Sequence, residues 1–267
     1  MDLLNVDVIK SCLTSQVLTQ ISTIEIFPSL SSTNTYLMHK AVSGAPSGSI
    51  CLAEQQTAGR GRHGRIWVSP PSGNIYVSCL WRYNPTPDNL SSLSLVCGVA
   101  LVRALWQLGV TNISLKWPND LLLSGRKLGG LLLEIRRDTR GASLIVIGIG
   151  LNLHLSLEDT YAISQPWAAL DQLPGGIPCT RNHLVAVILN QLIMSLNSFK
   201  INGLQPFVKD WIQNDALTGA QVTMTVGEQT ITGDYLGIGL DGAMRLANNG
   251  KITLYYGGEV QNCIYKR

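Results

Sequence analysis

The segment Gly59-Arg60-Gly61-Arg62-His63-Gly64-Arg65-Ile66-Trp67 separates two very different architectures. Its glycines satisfy G-x-G-x-x-G, the pattern of a dinucleotide-binding turn, and such a turn has to open a helix so that a pyrophosphate meets free backbone N–H groups. The chain continues instead with Ile66-Trp67-Val68-Ser69-Pro70-Pro71-Ser72-Gly73, in which two prolines and a glycine make it extended or turning. A carboxylate to hold a ribose is expected about twenty residues on. No Asp or Glu lies between Glu54 and Asp88. The segment therefore reads as an anion-binding loop and not as a Rossmann turn. Its glycines permit backbone geometry and close ligand approach that a side chain would block, and each guanidinium offers a planar fork suited to carboxylate or phosphate oxygens. With no carboxylate nearby in the sequence, the counter-charge is expected to be a ligand. A solvated basic surface loop is the plainer alternative, and the glycine spacing weighs against it.

Around this loop the chain reads as strands. Ser49 to Gln55 leads in and Asn74 to Trp81 leads out, the latter alternating Ile75, Val77, Cys79 and Trp81 against Tyr76 and Ser78. Upstream, Val6, Ile9, Leu13 and Val17 predict one amphipathic helix over residues 6–21, followed by a strand from Thr23 to Phe27. Ser31-Ser32-Thr33-Asn34 then reads as an N-cap cluster opening a helix to about Val42, and a hydroxyl-rich helix start can also hold a polar ligand head. Downstream, residues 89–108 predict a long buried helix ending at Gly109. A strand from Ile113 runs into Lys116-Trp117-Pro118-Asn119-Asp120 and a leucine-rich hairpin containing Lys127-Leu128-Gly129-Gly130. Polar residues among leucines are costly unless satisfied, so Lys116, Asn119, Asp120 and Lys127 stand out, although a lysine in such a run can simply be a snorkelling strand end. Ser143 to His154 reads as a central strand with Asn152 near its end, either as turn chemistry or as a ligand contact. Helices come next at about 181–199 and 204–213. From Gln221 the pattern changes to short β runs punctuated by glycine, a small all-β, barrel-like module.

The bulk numbers narrow the class. At 267 residues, with 45% hydrophobic and 14% charged residues, the chain is globular and long enough for one large domain and a small appendix. Its net charge of +3 is too small for a broad nucleic-acid footprint. The cysteines at 12, 51, 79, 97, 179 and 263 are scattered and read as reduced thiols, and the histidines at 39, 63, 154 and 183 form no metal-ligand spacing, so no metal site of the protein's own is expected. No secretory leader and no run of about eighteen apolar residues is evident, so a cytoplasmic location without membrane contact is expected.

Ser32-Thr33-Asn34, the arginine loop with Trp67, Lys116-Trp-Pro-Asn-Asp120, Lys127-Leu-Gly-Gly130 and Gly148-Ile-Gly-Leu-Asn152 occur in an order that resembles the biotin–protein ligases. The likeness extends from about Ser22 to the end, Gly257-Gly258-Glu259 included. It implies an α+β fold, with a mixed β-sheet catalytic domain flanked by helices (1–217), of the kind shared with class II aminoacyl-tRNA synthetases, and a small C-terminal SH3-like β-barrel (218–267). It also implies a two-step reaction: biotin and MgATP give biotinyl-5′-AMP and pyrophosphate, then a lysine of a biotin carboxyl carrier domain attacks the mixed anhydride. On the matched positions, Ser32, Thr33, Asn34 and Gln56 would hold the biotin head, while Arg60, Gly61 and Arg62 would fold over its carboxylate and the new phosphate. Lys127 would serve both steps. Trp67 would cover adenine, Arg65 and Lys116 would meet phosphates, and Asn119, Asp120 and Asn152 would serve the nucleotide or its Mg2+. His63 departs from a motif position that is frequently Arg, and the residues after Glu259 lack an obvious basic contact. The winged-helix domain of repressor relatives is absent, which implies a ligase that does not bind DNA, as monomer or homodimer. A lipoate or octanoate ligase of the same superfamily and a non-catalytic sensor of biotinyl-AMP are the alternatives.

Overall fold

The computed structural model describes residues 2–71, 73–137 and 141–265. The apolar spacing that predicts one helix over residues 6–21 is split into α1 (Val6–Ser11) and α2 (Ser15–Leu18). Thr14 causes the break: its hydroxyl accepts from the Val17 N–H, so a second N-cap interrupts the run. Next come β1 (Thr23–Phe27), α3 (Thr33–Val42), β2 (Ser49–Ala53), β3 (Ile75–Tyr83), α4 (Leu93–Gln107), β4 (Ile113–Lys116), β5 (Asp120–Leu123), β6 (Arg126–Arg137) and β7 (Ser143–Leu151). After the short α5 (Leu157–Thr160) come α6 (Arg181–Asn202) and α7 (Val208–Asn214), and then β8 (Ala220–Val226), β9 (Gln229–Ile238), β10 (Met244–Asn248), β11 (Lys251–Tyr255) and β12 (Glu259–Tyr265). The last strand is one the sequence pattern did not mark.

Strands β1 to β7 form one sheet in the order β1-β2-β3-β7-β6-β5-β4. β1 and β2 are parallel, joined through α3, and every other neighbouring pair is antiparallel, so the sheet is mixed. Alternation sorts the side chains. Val77, Cys79, Leu131, Ile145, Ile147 and Ile149 enter the main core with α4 and α6, while Leu80, Leu144 and Val146 pack on the opposite face against Leu37, Met38 and Ala41 of α3. By length and composition alone, Leu90–Gln107 and Arg181–Asn202 would pass for bilayer-crossing helices, with mean hydropathy 1.4 and 1.5. Both are mostly buried, and a helix packed on several sides has to be apolar on several sides.

A buried ion pair closes the N-terminal end: Arg181 Nη2 lies 2.8 Å from Glu54 Oε2, and Glu54 Oε1 accepts from the Leu4 N–H. The C-terminal strands form an antiparallel sheet in the order β11-β10-β9-β8-β12. It is open and not the closed barrel that was expected. Closure requires inward side chains on every strand, and β11 has no buried residue. This sheet is tied to the larger one by Trp117 Nε1, which donates to Gly242 O at 3.1 Å, and by the segment at 215–216, where the Ala216 N–H donates to Leu115 O of β4 at 2.9 Å and Asp215 accepts from Tyr235 Oη of β9 at 2.5 Å.

Candidate active site

The site occupies the sheet face that α3 leaves uncovered. Along β7 the residues on that face run Leu144, Val146, Gly148, Gly150: the first two lie under α3 and the glycines form a bare floor. A Cβ on Gly148 would stand 2.2 Å from Asn34 Oδ1, and one on Gly150 would stand 2.5 Å from Trp67 Cε2. Neither glycine has positive φ, so each supplies room and not an unusual backbone.

The arginine loop is a hairpin laid over this floor. The Trp67 N–H donates to Gly59 O at 2.9 Å and the Gly61 N–H to Arg65 O at 2.7 Å, while His63 and Gly64 turn the chain at φ 55° and 75°. Gly59 is needed for space, since a Cβ there would meet Trp67 O at 2.4 Å. The expectation that only a ligand neutralises the arginines fails for two of them. Arg60 Nη2 lies 2.9 and 2.7 Å from the two oxygens of Glu134 on β6, and Arg65 is ion-paired with Glu259 at the start of β12. Both carboxylates are remote in sequence, so folding alone brings them there. Arg62 instead donates to Asn119 Oδ1 at 3.2 Å. Burial lowers its pKa, Asp120 and Glu259 oppose that fall, and Arg65 adds to it.

Opposite the loop, Lys116 lines the cavity, and its ammonium makes no hydrogen bond or ion pair with the described residues. The Asn119 side-chain amide donates to Leu131 O at 2.8 Å, and Asp120 Oδ1 lies 2.8 Å from Lys127 Nζ. Lys127 reaches the cavity through an irregularity. Counting by two along β6 from Glu134 and Leu132 would put Leu128 in the site and Lys127 in the core. A register shift opposite Leu121 and Leu122 reverses this, so Leu128 is fully buried in the core and Lys127 faces the site. Its Nζ lies 5.7 Å from the Trp67 ring centroid.

At the start of α3, Ser32 Oγ accepts from the Thr35 N–H, as a cap does. Gln56 Oε1 accepts from both the N–H and the hydroxyl of Thr33, at 2.9 and 3.1 Å, and Gln56 Nε2 donates to Ser69 Oγ at 3.1 Å. Ser78 Oγ lies 2.8 Å from Thr33 Oγ1 and 2.6 Å from Asn34 Oδ1. The Asn34 amide donates to Leu132 O at 3.1 Å and to Glu134 Oε2 at 2.9 Å, so both its hydrogens are occupied by the protein.

Ser32, Thr33, Asn34, Gln56, Arg60, Gly61, Arg62, Arg65, Trp67, Lys116, Asn119, Asp120 and Lys127 all line this one cavity. Asn152 does not. It is buried, its side-chain amide donates to Ala168 O at 3.1 Å and its N–H to Leu128 O at 2.9 Å, pinning the 166–170 segment beside Lys127. The indole Nε1 of Trp67 is buried with no partner among the described residues. The sequence reading missed Ser78, Glu134 and Gln165 and gave Glu259 no role. A polar residue on the site-facing alternation of β3 or β6 was the available signal for the first two. No group of three or more His, Cys, Asp or Glu that could hold a metal occurs among the described residues.

The model of the biotin/lipoate A/B protein ligase family matches residues 26–152, which hold β2 to β7, the end of β1 and most of the cavity. The chain is 37% identical over 247 residues to the bifunctional ligase/repressor BirA of Escherichia coli K12, covering 92% of this chain and 76% of that protein. It is 30% identical to the biotin–[acetyl-CoA-carboxylase] ligase of Mycobacterium tuberculosis, covering 89% of this chain and 88% of that one. The biotin protein ligase of Aquifex aeolicus, solved in complex with biotin and ATP, superposes with a TM-score of 0.77 at 27% identity, covering 92% of this chain and 100% of that one. The chain belongs to the biotin/lipoate A/B protein ligase family, and within it to the biotin–protein ligases.

Proposed function

We propose that this chain activates biotin with ATP and transfers the biotinyl group to a lysine of a carrier domain. In the first step a biotin carboxylate oxygen attacks the α-phosphorus and pyrophosphate leaves. In the second the uncharged lysine amine attacks the acyl carbon, AMP leaves, and the amine gives up a proton. The observation that carries this reading is one cavity with two chemistries: hydroxyls and an amide around Thr33 and Gln56 at one side, and Arg60, Arg62, Lys116 and Lys127 facing them across a glycine floor. A neutral polar head suits the first set. Two anions that repel each other in water suit the second, where fixed cations stabilise the charge as it passes to phosphate and pyrophosphate.

Arg62 and Lys127 are the cations assigned to the carboxylate and α-phosphate, and Lys116 and Arg65 to the remaining phosphates. Arg60 and Arg65 would then exchange a protein carboxylate for a ligand oxygen or keep the loop in place from the side. Trp67 on Gly150 offers an aromatic face for adenine. Asp120, with nucleotide phosphates and water, is a donor set suited to Mg2+, which would neutralise triphosphate charge there. The hairpin over the floor keeps water from the anhydride until the acceptor arrives. In this reading residues 1–217 are the catalytic part and 218–267 a separate module, the location is cytoplasmic, and the acceptor is the biotin carboxyl carrier domain of a carboxylase such as acetyl-CoA carboxylase. Biotin-dependent exchange of pyrophosphate into ATP, followed by labelling of a carrier domain, tests it. Exchange with lipoate or octanoate and none with biotin would overturn the substrate assignment.

A further inference from the structure

We propose that Glu134 is a positioning residue that couples the polar head pocket to the arginine loop, an inference that rests on the ligase reading above. Its carboxylate stands where two otherwise separate parts meet. Oε2 accepts from the Asn34 amide at 2.9 Å, and Arg60 Nη2 reaches both oxygens, at 2.9 and 2.7 Å. Asn34 is held from the other side by Ser78 Oγ at 2.6 Å and by Leu132 O at 3.1 Å. A continuous chain therefore runs from the sheet floor through Ser78, Asn34 and Glu134 to Arg60 on the loop.

No neighbouring carboxylate can take over. Asp120 is engaged by Lys127 and Glu259 by Arg65. Glu134 and Arg60 are 28% and 43% exposed, so their pairing contributes little to global stability. Its effect falls on the loop, which is otherwise held by backbone bonds between its own two arms, by Arg62 on Asn119 and by Arg65 on Glu259. A head group that settles against Thr33 and Asn34 fixes the end of the chain to which Arg60 is tied, so the loop is ordered over the carboxylate by the same event. Charge is essential to the Arg60 end and only an acceptor to the Asn34 end, which makes the two ends separable by mutation.

The test uses the full chain and three variants, Glu134→Gln, Glu134→Ala and Glu134→Asp. Limited trypsin digestion without ligand, read by mass spectrometry, reports on the loop directly because Arg60, Arg62 and Arg65 are themselves cleavage sites. Cleavage within 60–65 should rise by about fivefold in Glu134→Gln, the scale of losing one partly exposed charge-assisted contact. It should rise at least as much in Glu134→Ala and recover towards wild type in Glu134→Asp. In pyrophosphate exchange the KM for biotin should rise by more than the KM for ATP and by more than kcat falls. Loop cleavage equal to wild type in Glu134→Ala, or faster cleavage throughout the chain, would overturn the proposal, as would an ATP KM that rises more than the biotin KM. Wild-type protein that shows no exchange with biotin would reject the ligase reading, and the digestion would still decide whether Glu134 holds the loop.

Discussion

Adding one methyl group to the floor, by Gly150→Ala, tests whether the two glycines of β7 exist to make room. The strand backbone of Gly150 suits alanine, so the effect has to come from the side chain. The new Cβ would lie 2.5, 2.7 and 2.8 Å from Trp67 Cε2, Nε1 and Cζ2. Carbon atoms in contact sit about 3.5–4.0 Å apart, so the indole has to retreat by roughly 1 Å. It cannot slide along the floor freely, because Lys127 stands over the ring, its Nζ 5.7 Å from the centroid. Overpacking of this kind costs about 1–3 kcal/mol, with tenfold in affinity for each ~1.4 kcal/mol. If Trp67 is the nucleotide's platform, the KM for ATP in biotin-dependent exchange rises on the order of tenfold, while the KM for biotin changes less. Gly148→Ala is the matched control: its Cβ would fall 2.2 Å from Asn34 Oδ1, so it should raise the KM for biotin first. Far-ultraviolet circular dichroism verifies that both variants fold. Wild-type constants in Gly150→Ala, or the two KM effects interchanged, would refute this account of the floor.

Lys127→Ala removes the cation facing Asp120 and should slow both half-reactions by about a hundredfold; an unaffected rate of pyrophosphate exchange would remove its assigned part. Arg62→Ala should increase the escape of biotinyl-AMP into solution, measured by quenching and chromatography, and unchanged retention would contradict the loop's shielding role. Arg181→Ala strands Glu54, whose side chain is 10% exposed, and should destabilise the fold by about 3–5 kcal/mol in urea titration; a loss below about 1 kcal/mol would show that the pair contributes little. Burial pushes the thiols of Cys51 and Cys79 up to about 12, so near pH 8 only about one molecule in ten thousand carries the thiolate at either position. A thiol reagent should therefore modify the half-exposed Cys12, Cys179 and Cys263 first and reach Cys51, Cys79 and Cys97 only on unfolding, and mass spectrometry showing early modification of Cys79 would contradict its burial.

Most of the site's composition could be read before folding, because the chemistry needs particular side chains in compact runs. Gly59 to Trp67, Lys116 to Asp120 and Lys127 each announce themselves as cations, glycines or amides where a leucine-rich or extended chain would not otherwise keep them. Alternation in β3, the apolar run of β7 and the apolar residues on most sides of α4 likewise arise from local sequence, which is why these strands and the long buried helix were legible. Capping chemistry was harder: Thr14 restarts a helix within a run whose apolar spacing looks continuous.

What only the tertiary structure decided are the relations between segments. The pairing of Arg60 with Glu134 and of Arg65 with Glu259 overturned the expectation of unneutralised arginines, since electrostatic partners are set by distance in space and those carboxylates come from β6 and β12. The irregularity opposite Leu121 and Leu122 reversed which residue of the Lys127-Leu128 pair faces the cavity, a choice that period two alone assigns the wrong way. Asn152 proved to be an anchor for a neighbouring segment, and the C-terminal sheet stayed open because an exposed β11 offers nothing to close on. Residue type and spacing declare what chemistry a chain can perform; the register of its strands and the meeting of distant charges declare where that chemistry is held.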